Sequence, residues 1–151
     1  IAALPKVNAG GAFTDLPVVD FTGGAIQRAN LVLVSSVDEL PASLSPEWHR
    51  IVREDLGFTG VIVTDDLAML LDSGELALQD PAQNAAQALL AGNDLLLHLD
   101  GATVPAMIEG ITAAVEAGTV PEDRLEDAAI RVAELRLELD ALRSTAADEG
   151  P

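Results

Sequence analysis

A short β-branched run, Val61-Ile62-Val63-Thr64, ends on two adjacent carboxylates, Asp65 and Asp66. No other stretch restricts the fold as strongly. Such a run, bounded by turn formers, reads as a buried strand. The helix before it is well punctuated, with Ser45 as N-cap, Pro46 at the first helical position and Gly57 as C-terminal cap. A continuous apolar strand between helices belongs to a parallel sheet covered on both faces. Acids at its C-terminal end lie where α/β barrels and open α/β sheets carry their chemistry. The plainer role for such a pair is a helix cap or a turn.

The rest of the chain repeats this unit. Residues 29–36 (Ala-Asn-Leu-Val-Leu-Val-Ser-Ser) read as a second buried strand with a polar end. On the helix after Ser45, Trp48, Ile51, Val52 and Leu56 form the apolar stripe. His49 and Arg50 fall opposite, and His49 reads as a solvated surface histidine. Residues 67–79 read as a long loop. Asp80-Pro81-Ala82-Gln83 opens a helix that buries Ala85, Ala86, Leu89 and Leu90 and stops at Gly92. Residues 93–98 read as a third strand, with His98 in satisfied polar packing at its end and Asp100 in a turn. A helix over 104–117 ends at Gly118, and Thr119 to Glu122 offers a capping box for the last helix. There Leu125, Ala128, Val132, Leu135, Leu139 and Leu142 recur three and four apart. That spacing could form a coiled-coil seam, but it reaches only the minimum length, so docking against the sheet is expected. Alternating strands and helices of this kind imply an α/β fold with right-handed crossovers.

Composition excludes some functions. The formal charge is −17, from 8 basic and 25 acidic residues, which argues against nucleic acid or an anionic membrane surface as partner. With no cysteine, thiol catalysis, disulfides and cysteine-bound zinc are ruled out. His98 lacks enough neighbouring ligands for a metal, and neither metal nor cofactor is expected. The Gly-rich segment 1–24 has no phosphate-cradle pattern and reads as loop; this also argues against a Rossmann-like nucleotide domain.

Residues 45–67, from Ser45-Pro46-Glu47-Trp48-His49-Arg50 through Gly60-Val61-Ile62-Val63-Thr64-Asp65-Asp66-Leu67, closely resemble the nucleophile segment of family 3 glycoside hydrolases. The resemblance is to their β-N-acetylhexosaminidase branch, and it runs more loosely from about Asn30 to Leu142. It implies a TIM-type (β/α)8 barrel, of which this chain holds parallel β/α units of the C-terminal portion. It also implies retaining hydrolysis of a β-N-acetylglucosaminide or β-glucoside, with a carbohydrate as substrate. Asp65, the first acid after the strand's Thr, then corresponds to the catalytic nucleophile. Asp66, Ser36 and Met69 are the expected substrate-binding residues.

In that branch the acid/base is a histidine on an upstream loop. If Pro5 to Pro17 is the corresponding stretch here, it keeps Lys6 but contains no histidine, and Asp15 is assigned no role. The expected organisation is a loop-rich segment 1–24, a partial barrel 25–143 and a flexible tail 144–151. A barrel needs roughly 250 residues, so the chain is expected to be a fragment of a larger enzyme, or to complete its fold with the missing N-terminal half or a second copy. A non-catalytic relative acting in binding or assembly is the alternative.

Overall fold

The computed structural model describes residue 38 and residues 40–148. The strand expected at residues 29–36, with Ser36, and the positions Lys6 and Asp15 lie outside the described residues. The described elements run in the order α1 (Pro46–Arg50), β1 (Val63–Asp66), α2 (Ala68–Asp72), α3 (Pro81–Ala91), β2 (Leu95–Leu97), α4 (Val104–Glu116) and α5 (Glu122–Asp148), with short 3-10 turns at Ala42–Leu44 and Leu76–Leu78. The two described strands pair in parallel, with a crossover through α2 and α3. The class is α/β, built of parallel β/α units.

Local chemistry explains each boundary. The Ser45 hydroxyl accepts the Trp48 N–H at 3.0 Å and donates to Asp38 at 2.6 Å, so α1 starts where the cap demands. The helix then widens into a π-helical turn, Ile51–Asp55. That extra residue per turn rotates Leu56 out of the stripe expected from a 3.6-residue period, and Leu56 is exposed. Asp80 accepts the N–H groups of Ala82 and Gln83, and Pro81 follows as the first residue of α3. Gly92 closes that helix at φ 128°, where only glycine sits without strain.

The core lies between the sheet and α3. Leu44, Leu67, Leu70, Leu78, Ala85, Ala88 and Met107 form one buried cluster, with Leu96 packed against it from β2. Residues 67–79, expected as loop, supply three of these leucines, because α2 and the 3-10 turn at Leu76–Leu78 fold back onto α3. Each buried leucine contributes about 1.5–3 kcal/mol. Helix α4 packs closely along α3, and Gly110 permits it: a Cβ there would lie 2.4 Å from the Ala82 carbonyl oxygen. Leu90, expected inside, faces solvent.

A second cluster joins Leu89 of α3 to Val120 and Ala128. It corrects the expected docking of the last helix. Among the described residues, the first turns of α5 pack on helix α3 rather than on the sheet. Leu125, Leu135, Leu139 and Leu142 are exposed, and the helix continues past residue 144. Thr119 does not cap α5 either; its hydroxyl donates to the Ala114 carbonyl and closes α4.

Among the described residues the two faces of the sheet differ, in keeping with an incomplete barrel that leaves a core face uncovered. Helices cover one face, and burial alternates with the two-residue period of a strand. On the other face Val63 is 53% exposed and Leu95 and Leu97 are 44% and 42% exposed.

Candidate active site

Strand β1 begins two residues later than its apolar run suggests, so both acids lie within its last turns of extended chain. The strand is irregular at that point. Between the pairs Val63–Leu95 and Asp66–Leu97, β1 carries one residue more than β2. Such a bulge is rare in parallel pairs and re-aims side chains, often beside active sites. Thr64 repairs the ladder. It is buried, and its Oγ1 accepts the Leu97 N–H at 2.9 Å.

Asp65 and Asp66 face different surroundings, because successive strand residues point to opposite sides. Asp65 is exposed on the open face, with one oxygen accepting the Asp66 N–H at 2.8 Å. Asp66 is directed inward. Its Oδ1 accepts the Ala68 N–H at 3.0 Å and the Leu99 N–H at 3.1 Å, joining the start of α2 to the segment after β2. Asp65 is thus the carboxylate available to a ligand, and Asp66 is a fastening at the strand ends.

A cleft of about 250 Å³ runs alongside the whole of β1. Asp65, Asp66 and Met69 line it together with Trp48, His49 and Asn93. The structure therefore brings together three of the expected site residues, Asp65, Asp66 and Met69. Ser36, the remaining one, is outside the described residues.

Both histidines depart from expectation. His49, read as a surface residue, is buried. Its ring lies where Gly92 has no side chain, since a Cβ there would come within 2.7–2.9 Å of His49, and its Nδ1–H donates to the Ser45 carbonyl at 2.6 Å. The His98 side chain is buried, but the satisfied packing expected of it is not seen: among the described residues neither ring nitrogen has a hydrogen-bond partner. Asp100 does form its turn. Its carboxylate accepts the Ala102 N–H and the Thr103 hydroxyl, and these bonds hold it below the usual carboxylate range.

A charged cluster that the sequence reading missed organises the opposite end of the strands. The Asp94 side chain has no solvent exposure. It accepts the Ile62 N–H at 2.9 Å and pairs with Arg53, with Arg124 at 3.0 Å and with Arg131 at 3.2 Å. Arg124 also donates to the Leu89 and Asn93 carbonyls at the end of α3. Charge pairing between residues 30 or more positions apart leaves no local pattern, although an acid opening a strand was a usable signal. Three elements are tied here at the stabilising end of the sheet, away from the acids at its C-terminal end.

Fold and site together define a class: parallel β/α units with carboxylates at the C-terminal end of a strand, as in α/β barrels. The chain belongs to glycosyl hydrolase family 3, whose N-terminal domain model matches residues 18–135. It is 34% identical over 112 residues to a beta-hexosaminidase of Methylococcus capsulatus, covering 74% of this chain and 32% of that protein. Over 67 residues it is 39% identical to a beta-hexosaminidase of Vibrio cholerae, covering 44% of this chain and 19% of that one. Among solved structures it is similar to a family 3 beta-N-acetylglucosaminidase from Paenibacillus sp., with a TM-score of 0.59 and 32% identity, over 66% of this chain and 19% of the other. The chain thus spans about a fifth to a third of the length of these relatives. The β/α units are a portion of a TIM-type barrel.

Proposed function

We propose that this chain carries the nucleophile segment of a retaining β-N-acetylglucosaminidase, with Asp65 as the attacking carboxylate. The observation that carries this reading is the geometry of the acid pair. Asp65 is exposed at the C-terminal end of a bulged strand, while Asp66 is engaged by two backbone N–H groups. The similarity to beta-hexosaminidases supports an N-acetylated sugar as substrate.

The chemistry follows from the site. The Asp65 carboxylate attacks the anomeric carbon and forms a glycosyl ester as the bond to the leaving oxygen breaks. A second group, about 5 Å away in retaining enzymes, protonates that oxygen. It then removes a proton from the water that hydrolyses the ester. The Asp66 N–H, bonded to Asp65, orients the nucleophile. Asp66 itself and Met69 shape the floor of the sugar site, and Ser36 is the third substrate-binding residue. No histidine occurs between Pro5 and Pro17, and an activated aryl leaving group, which needs little protonation, is the one expected to react.

The test is release of the aryl alcohol under single-turnover conditions. The expected result is release from an aryl β-N-acetylglucosaminide that exceeds release from the matching β-glucoside. No release from either sugar by folded protein would overturn the reading.

A further inference from the structure

We propose that His98 is a positioning residue for the nucleophile, acting through Asp66. The inference rests on the assignment of Asp65 as the attacking group. His98 directly follows β2 and shares the inward face with Leu96, because alternate strand residues share a face. Its side chain is 3% exposed, and both ring nitrogens are buried without a hydrogen-bond partner among the described residues. A neutral imidazole carries one N–H donor and one acceptor, and burying them unmatched opposes folding. Such a group persists where a bond forms in another state of the site.

The available partner is Asp66. His98 Nδ1 lies 3.6 Å from Asp66 Oδ1, just beyond hydrogen-bond distance. A carboxylate has about four acceptor positions, and the Ala68 and Leu99 N–H groups occupy two at Oδ1. Those two fill Oδ1, so a small turn of the carboxylate that brings Oδ2 toward the ring would add a His98 Nδ1–H bond. Catalytic contacts that are long in the free enzyme commonly tighten when substrate binds. The relay then has two links: His98 N–H to the Asp66 carboxylate, and the Asp66 backbone N–H to the Asp65 carboxylate at 2.8 Å. His98 thereby fixes the peptide that aims the nucleophile. It faces away from Asp65, so it touches neither the sugar nor the leaving oxygen. Asp100 is the other acid within electrostatic reach of His98, but its carboxylate is engaged by Ala102 and Thr103.

The experiment has an arm that does not depend on activity. ¹⁵N NMR of the imidazoles, with the His98 signals assigned by their loss in His98→Asn, reads the tautomer. The expected result is Nδ1–H in the wild type and a shift toward Nε2–H in Asp66→Ala. A wild-type ring in the Nε2–H form overturns the proposal, whatever the protein hydrolyses. The second arm is the rate of covalent labelling by a fluorinated N-acetylglucosaminide. A misplacement of about 1 Å costs about 100-fold in rate, so His98→Leu should label about 100-fold more slowly with little change in inhibitor affinity. His98→Asn, which keeps a donor near the Nδ1 position, should recover most of that rate. Wild-type labelling rates in folded His98→Leu overturn the proposal. A wild type that shows the expected tautomer but never labels refutes the nucleophile assignment and leaves the His98–Asp66 pair standing.

Discussion

Removing the Asp94 carboxylate should destabilise the chain by an amount that can be worked out from its surroundings. The group is fully buried and meets three guanidinium groups and one backbone N–H. Deleting one side of a buried ion pair costs about 3–5 kcal/mol, because the charge left behind has lost its partner. Here the guanidinium groups keep part of their environment. Arg53 still donates to the Phe58 and Gly60 carbonyls, and Arg124 to the Leu89 and Asn93 carbonyls. Their side chains are 20% and 16% exposed and that of Arg131 is 29% exposed, so water reaches all three. The lower end of the range applies, and Asp94→Ala should cost about 3 kcal/mol. For a chain of this length that is a fall in Tm of about 6–12 °C. Asp94→Asn keeps an acceptor for the Ile62 N–H and should fall between the two. Urea denaturation followed by circular dichroism measures all three proteins. Because the cluster is buried, its contribution should persist in 1 M salt, where exposed pairs are screened. An Asp94→Ala protein within about 0.5 kcal/mol of wild type, the range of an ordinary surface change, would refute the reasoning.

Gly110→Ala should be destabilising by about 1–3 kcal/mol despite the helix propensity gained, because the new methyl meets the Ala82 backbone; a raised Tm would contradict this. Hydrolysis of a natural N-acetylglucosamine disaccharide by this chain alone should be undetectable beside that of an aryl glycoside, a comparison made by product chromatography. The Asp100 turn should withstand acid below the ordinary carboxylate range. Its folded carboxyl lies low, so its bonds are intact above the unfolded value and are lost as pH falls through the folded one. Hydrogen exchange at the Ala102 N–H reports this, and loss of protection at the ordinary range would count against it.

Much of the fold could be read from local chemistry. The caps at Ser45 and Asp80, the stops at Gly57, Gly92 and Gly118 and the apolar strands each depend on neighbours within a few positions. Misreadings arose where distant groups decide the outcome. His49 is buried because Gly92, 43 positions away, leaves room for its ring. Leu56 turns outward because the helix widens before it. The leucines of residues 67–79 lack a clean helical period, yet tertiary packing winds them into α2 and a 3-10 turn. In the site, the Asp pair at a strand end and the opposite facing of its two acids follow from the two-residue period of a strand, but the bulge beside them depends on register with β2. The engagement of Asp66 by Leu99, and the contact of Thr64 with Leu97, likewise need the paired strand.

Which carboxylate forms the covalent intermediate decides the role of the acid pair. Intact-mass spectrometry and peptide mapping after labelling with a fluorinated, mechanism-based N-acetylglucosaminide answers this for wild type, Asp65→Asn and Asp66→Asn. The prediction is one sugar per chain on the peptide at Asp65 in the wild type and in Asp66→Asn, and none in Asp65→Asn. A label on Asp66 or on any other residue, or labelling that survives in Asp65→Asn, would contradict the assignment.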